Sequence, residues 1–187
     1  MPGAEVVEVD DFFYGARVAG GGRGRGTAKQ PLIAAVDRAP AGTGSCVVRV
    51  VEDCTAASYR QFGHDHLCRA STIRTDSFCG SSAGLSSFGG LDQRDYGGGD
   101  PDASLPMVHR VISNFRAMAS GTFHGLAGGD LLQPLADAFS WRYSHRSCGD
   151  PTAALLSDLC AIHVPLAGIA ATATVQPKMA KPRTGRR

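Results

Sequence analysis

Val6-Val7-Glu8-Val9-Asp10-Asp11-Phe12-Phe13-Tyr14 is the stretch on which the reading of the fold turns. Residues 5–14 are rich in β-branched and aromatic side chains, the composition of a strand. Two adjacent acids in its middle are out of place there. Side chains alternate between the two faces of a strand, so Asp10 and Asp11 point to opposite sides. One of them then faces a covered side of a sheet, where a carboxylate needs a cation or a metal beside it. The competing reading is an acid at a sheet edge that faces water, and composition alone does not choose between the two.

Pro31–Val36 and Cys46–Val51 are short apolar runs, and Pro40–Gly44 is a turn cluster. Together with the first stretch they predict three successive antiparallel strands. Gly20–Gly26 reads GGGRGRG. It lacks the strand-then-helix setting of a dinucleotide fingerprint and reads as a flexible hairpin connection. Its Arg23 and Arg25, with Lys29 close behind, are candidates for contacts to phosphate. Thr55 is expected to cap a helix that runs to about Leu67. Thr72–Asp76 reads as a fourth strand that ends in an acid. Gly80–Phe88 reads as a weak helix, diluted by glycine and serine. Gly89–Ser104, rich in Gly, Asp and Pro, reads mostly as loop, with room for a short strand.

Two helices are expected next. Val108, Val111, Ile112, Phe115 and Met118 recur at helical spacing within 105–120, with Gly121 as a stop. Leu131, Leu132, Leu135, Ala138, Phe139 and Tyr143 do the same after Asp130, the expected N-cap. A short helix is expected over 152–162 and disorder beyond Val164. The predicted fold class is α/β: a mixed sheet of three antiparallel strands followed by strand-helix units, flanked by helices. This is the order that an RNase H-like domain needs.

The chain of 187 residues is long enough for one domain with extensions, and 43% hydrophobic residues supply a core. No run of 18 apolar residues is present, so no membrane span is expected. The start lacks the basic-then-apolar pattern of a secretory signal. The six cysteines contain no C-x-x-C pair and are expected as free thiols in a reducing cytoplasm. His64-Asp65-His66-Leu67-Cys68 has ligand residue types, but strand-like alternation puts at most two of them on one face, and an exposed polar turn is preferred. A net charge of +2 does not by itself argue for nucleic acid. Basic clusters near the start and at Lys178, Lys181, Arg183, Arg186 and Arg187 lend it weak support.

Asp76 gives the acid in the first strand a partner. If the first and fourth strands are neighbours, Asp10 and Asp76 lie where ligands collect at the carboxyl ends of strands. Oxygen ligands favour Mg2+ or Mn2+. Two such ions support phosphodiester cleavage and transfer.

Val7-Glu8-Val9-Asp10-Asp11-Phe12-Phe13-Tyr14-Gly15-Ala16-Arg17 resembles the I-E-V-D-E-T-Y-x-G-G-K opening of insertion-sequence transposases with a DDE-type, RNase H-like catalytic domain. Gly24-Arg25-Gly26-Thr27-Ala28-Lys29 resembles that family's R-G-R-G-T-x-K loop, and Arg74-Thr75-Asp76-Ser77 resembles its x-T-D-G-W segment. Residues 105–116 with Gly121-Thr122-Phe123-His124-Gly125 look like its third catalytic helix and G-T-[YH]-H-G turn. Asp137-Ala138-Phe139-Ser140-Trp141-Arg142-Tyr143-Ser144-His145-Arg146 looks like its closing helix. The five motifs stand in the family's order and span residues 4–146, the expected catalytic domain. Residues 147–187 form a divergent tail.

The resemblance implies Asp10 and Asp76 as the first two catalytic acids and metal ligands. It puts His109, in a V-H-x-V-I-S-N helix, where many members carry a third acid, with His109 or Asn114 as third ligand. It implies Arg116, two helical turns after His109, as a phosphate contact. The implied activity is metal-dependent cleavage and strand transfer at element ends. It brings a two-metal Mg2+ or Mn2+ cofactor, DNA ends and target DNA as partners, a homo-oligomer, and a bacterial cytoplasmic, nucleoid-associated location. Departures from the pattern are Phe12 for a small hydroxyl residue, Ser77-Phe78-Cys79 for G-W-x, Pro134 in a helix and Ser144-His145 for N-R. The family's zinc ribbon and DNA-binding helices have no counterpart, so a truncated form is expected. An inactive remnant and a non-catalytic nucleic-acid-binding module are the alternatives.

Overall fold

Strand β1, Val6–Tyr14, is the hub of a five-stranded sheet of order β3-β2-β1-β4-β5. The computed structural model describes residues 4–15, 27, 29–39, 44–95, 101–121 and 129–161, with only the backbone of Pro101 and Asp102. β2, Gln30–Asp37, runs antiparallel to β1, and β3, Cys46–Val50, runs antiparallel to β2. Helix α1, Ala56–His66, then carries the chain across to β4, Thr72–Asp76, which lies parallel to β1 on its other side. The expected meander and the expected β1–β4 neighbourhood are both present, in an α/β mixed sheet compatible with an RNase H-like domain. The expectations for Arg23, Arg25 and their loop, for residues 122–128 and for the chain beyond Val164 fall outside the described residues.

Alternation along β1 sorts the core into two layers. Val7 and Val9 pack with Ile33, Tyr59, Phe62 and Ile73 beneath α1 and α2, Cys79–Leu85. On the other face Phe12 packs with Leu32, Val36, Val108 and Phe115. That face is covered by α4, Pro106–Gly121, and α5, Leu132–Ser144. α2 is short and glycine-rich for a packing reason. A Cβ on Gly84 would lie 2.5 Å from Tyr59 Cβ and 2.7 Å from the Ala56 carbonyl oxygen, so glycine permits the close approach of α1 and α2.

The outer edge of β3 is sealed by side chains of α5. The amides of Cys46, Val48 and Val50 donate to Ser144 Oγ (3.1 Å), Ser140 Oγ (3.0 Å) and Gln133 Oε1 (2.8 Å). Every second residue of the strand thus meets one helical face, which satisfies an edge that would otherwise pair with another chain.

Two local expectations are corrected. Residues 89–104 are not mostly loop: β5, Gly90–Arg94, pairs in parallel with β4, and α3, Pro101–Ser104, follows. Arg74 and Asp92 lie directly opposite each other in that ladder, with Nε 2.8 Å from Oδ2. Cross-strand pairing overrides the poor strand propensity of Gly, Asp and Gln. Asp130 does not cap α5, because the N-cap is Leu131 in helical conformation and no side chain caps it. Thr55 does occupy the N-cap of α1, but its hydroxyl makes no cap; it donates to Asp53 Oδ1 at 2.7 Å. That oxygen also takes the Thr55 amide and the Ser58 hydroxyl, which holds the Asp53 carboxyl below its ordinary range.

Residues Met1–Cys148 form one compact unit and Gly149–Arg187 a second. In the second, α6 spans Pro151–Ala161, with Asp150 Oδ1 accepting the Ala153 amide at 2.9 Å. No described helix is long and apolar enough to cross a membrane. All six cysteines are free thiols; burial pushes the Cys46 thiol up to about 12.

Candidate active site

The sheet reverses its order at β1 and β4; of the two acids predicted from sequence, Asp76 ends β4 and Asp10 sits in the middle of β1, beyond the stretch that pairs with β4. The ladder runs from Val6↔Thr72 to Glu8↔Arg74, an offset of 66 residues. The same offset separates Asp10 from Asp76, two residues beyond the last pair.

Asp10 faces α4. Its side chain is 13% exposed, and its Oδ2 lies 3.1 Å from His109 Nε2. Its Oδ1 accepts the Asp11 amide at 2.8 Å. Burial pushes the Asp10 carboxyl up from its ordinary value; the His109 hydrogen bond pulls it back, and the charges of Asp11 and Asp76 push it up again. A buried carboxylate with two acidic neighbours is a place where positive charge is favoured. With Asp10 ionised, the carboxylate is an acceptor only, so the His109 Nε2 that faces it carries the hydrogen.

His109 and Arg116 share a face of α4, and together with Ser113 they line an open pocket of about 250 Å³ that includes Asp10, Asp11 and Phe12. The Arg116 guanidinium sits over the Phe12 ring, 5.4 Å from its centroid. Phe12, standing where a small hydroxyl residue was expected, is therefore a platform for this arginine. Asn114 is exposed and is not among the residues that line the pocket. Lys29 lines a separate hollow of about 320 Å³ with Phe13, Glu52 and Asp53, so it is not brought to Asp10.

Asp76 is held by the start of α2. Its Oδ1 accepts the Phe78 amide at 3.3 Å and the Ser81 hydroxyl at 3.1 Å. Asp11, on the opposite face of β1, accepts the hydroxyl of the fully buried Tyr59 at 2.7 Å. Burial and the Asp11 carboxylate push the Tyr59 phenol up, so it stays a donor. Among the described residues no three His, Cys, Asp or Glu side chains form a group able to hold a metal ion. This includes His64, Asp65, His66 and Cys68. His64 to His66 lie on the last turn of α1, where helical rather than strand-like spacing spreads the ligand types.

Sequence reading missed one charged group next to this site. Glu8 is completely buried on the same face of β1 as Asp10, and its Oε2 accepts the amides of Met107 (2.8 Å) and Val108 (3.0 Å) in the first turn of α4. The signal was present in Val7-Glu8-Val9-Asp10: the alternation that turns Asp10 inward turns Glu8 inward too.

A comparison with curated proteins gave no match. The sequence does match the family described as the ISXO2-like transposase domain, over residues 3–144. That match covers the whole sheet, α1, α2, α4 and α5, together with both acids, His109 and Arg116. The chain therefore belongs to the ISXO2-like transposase domain family, insertion-sequence transposases of the DDE type.

Proposed function

We propose that residues 4–146 are the catalytic domain of an insertion-sequence transposase that cleaves and joins DNA strands at element ends with Mg2+ or Mn2+, and that residues 147–187 are a divergent tail. One observation carries this reading: Asp10 is buried at the reversal point of the sheet, against His109 and beside Arg116. The donor chemistry fits a hard divalent cation. The charge of Asp76 raises the affinity of Asp10 for a proton, and a cation held beside the two carboxylates would answer that charge. Asp10 Oδ2 and His109 Nε2 already face each other at 3.1 Å, so a cation held by both would take the place of the hydrogen between them. On this reading Asp10 and Asp76 hold the metal and His109, rather than Asn114, completes the set. When bound, a pair of such ions activates water or a 3′-hydroxyl and stabilises the leaving oxygen.

The chain's own residues supply the rest. Arg116, steadied on Phe12, offers its guanidinium fork to a backbone phosphate at the mouth of the pocket. His109 would hold the cation through Nε2 as a neutral ligand, with its ring hydrogen then carried on Nδ1. Lys29, in its separate hollow, and Arg23 and Arg25, which lie outside the described residues, are further candidates for contacts to DNA phosphate. A homo-oligomer in the bacterial cytoplasm, on the nucleoid, is the working form.

A second reading has its own support. Asp76 already serves α2 as a hydrogen-bond acceptor, and no three-ligand group is assembled among the described residues. Both fit a remnant that keeps the fold and binds DNA without chemistry. Calorimetric titration with Mn2+ separates the two. Saturable binding that disappears in Asp10→Asn supports the enzyme. Absence of saturable binding in the unmodified chain, with DNA affinity that falls steeply with salt, establishes the binding module instead.

A further inference from the structure

The geometry points to Glu8 as a positioning residue: by holding the first turn of α4, it sets the height and rotation at which His109 meets Asp10. This inference rests on the reading of Asp10 and His109 as the centre of the site.

Glu8 is 0% exposed, and a carboxylate so placed is costly unless its charge is answered. Its Oε2 is answered by two amides, those of Met107 and Val108. These belong to the first turn of α4, whose amides have no partner within the helix, and Pro106 before them has no amide to offer. The positive end of the helix dipole adds to the attraction. Among the described residues Oε1 has no hydrogen-bond partner, and it pairs with Arg38 Nε at 3.4 Å. The carboxylate is thus committed to α4 from one side and weakly screened from the other.

The contacts along β1 and α4 run in step. Glu8 meets Met107 and Val108, Asp10 meets His109, and Phe12 meets Phe115 with ring centroids 5.5 Å apart. Strand and helix therefore run in the same direction. Four residues of strand rise about 13 Å, and the eight residues of helix from 107 to 115 rise about 12 Å. Glu8 is the polar pin at one end of this alignment and the Phe12–Phe115 contact is the apolar pin at the other. His109 lies one residue past the Glu8 clamp, so a slip of the helix by one residue turns its imidazole about 100° away from Asp10.

A merely structural Glu8 and a positioning Glu8 differ in what a hydrophobic replacement does. Glu8→Leu leaves the amides of Met107 and Val108 without their acceptor, whereas Glu8→Gln keeps one for them. The test compares Glu8→Leu and Glu8→Gln in the full chain. It reads the hydrogen-bonded Nε2–H signal of His109 in 15N-labelled, metal-free protein, and Mn2+ affinity by calorimetry. The expected result is that Glu8→Leu stays folded, loses that signal and binds Mn2+ about tenfold more weakly, within the range for groups that orient metal ligands. Glu8→Gln, whose carbonyl still accepts both amides, keeps the signal. A folded Glu8→Leu protein that retains the His109 signal overturns the inference, and so does a Glu8→Gln protein that loses it, which also decides the matter if Glu8→Leu does not fold. Asp10→Asn is titrated alongside. If it binds Mn2+ as tightly as the unmodified chain, the metal-site reading fails, while the metal-free His109 signal in the Glu8 variants still tests the positioning role.

Discussion

Asp10 and Asp11 are neighbours in sequence with identical side chains, and the fold gives them different chemistry. Asp10 turns toward α4, into an open pocket with an imidazole at 3.1 Å and an arginine at its rim. Asp11 turns toward α1, where a buried phenol donates to it at 2.7 Å. Both residues line the pocket, but the first has there a partner that can change protonation. The second is tied to a donor whose phenol is pushed up and stays protonated. One step along a strand is enough to separate a candidate catalytic carboxylate from a structural one.

The largest expected difference between the two is in activity. In a Mn2+-dependent nicking assay on DNA that carries element ends, Asp10→Asn is expected to lose about 10³-fold or more, as removal of a metal ligand does. Asp11→Asn, whose amide oxygen still accepts the Tyr59 hydroxyl, is expected to stay within about fivefold. Equal losses would abolish the distinction.

Next in size is the stability held on the Asp11 side. Tyr59→Phe removes a buried hydrogen bond to a charged group and is expected to cost about 1.5–3 kcal/mol, read from urea unfolding at pH 7. A cost under ~0.5 kcal/mol would mean that Asp11 does not rely on this phenol.

The Asp10 side is expected to show the opposite sign. Its carboxyl titrates above the ordinary 3.8 in the folded chain, so folding favours the protonated form. As pH rises from about 4 through the raised folded value, the unfolded state ionises first and stability falls, and the loss persists above that value. Asp10→Asn removes this penalty. It is expected to raise Tm at pH 7 by about 2–4 °C for each kcal/mol relieved, and the gain should shrink toward zero near pH 4. A gain that grows with acid would reverse the assignment of burial as the main cause.

Asp137 supplies the smallest effect and the exposed extreme of the same comparison. It pairs with Arg49 at 2.8 Å, but the two side chains are 53% and 38% exposed. Arg49→Ala is expected to cost about 0.5 kcal/mol or less, and less still in 1 M salt.

Much of this was legible from residues alone. Strands β1 to β4 and helices α1, α4 and α5 follow from period and composition, because each buries one face or both. Gly90–Arg94 was legible only as room for a short strand, because that strand depends on β4 and on the Arg74–Asp92 pair, not on its own propensity. The Asp130 cap failed because the chain enters α5 through Gly129, at φ +81°, and Leu131, a conformation that local sequence does not specify. The site was legible as a set of residue types, since alternation put one of Asp10 and Asp11 on a covered face and the motif order singled out Asp10 with Asp76, His109 and Arg116. Glu8 was overlooked because its partners, Met107 and Val108, lie about a hundred residues away.

By itself the sequence determined that β1 is a strand, that Asp10 and Asp11 part to opposite faces, and that the chain has the order of elements of a DDE-type transposase domain. These rest on short-range rules: two-residue alternation, helical period and local motifs. Only the tertiary structure decided that Asp10 meets His109 while Asp11 meets Tyr59, that Asp76 also serves α2, and that a buried Glu8 clamps α4. The Asp76 contacts are local, but the pairings of Asp10, Asp11 and Glu8 join residues 48 to 100 positions apart, and at such separations it is the packing of helices on the sheet, not local preference, that chooses each partner.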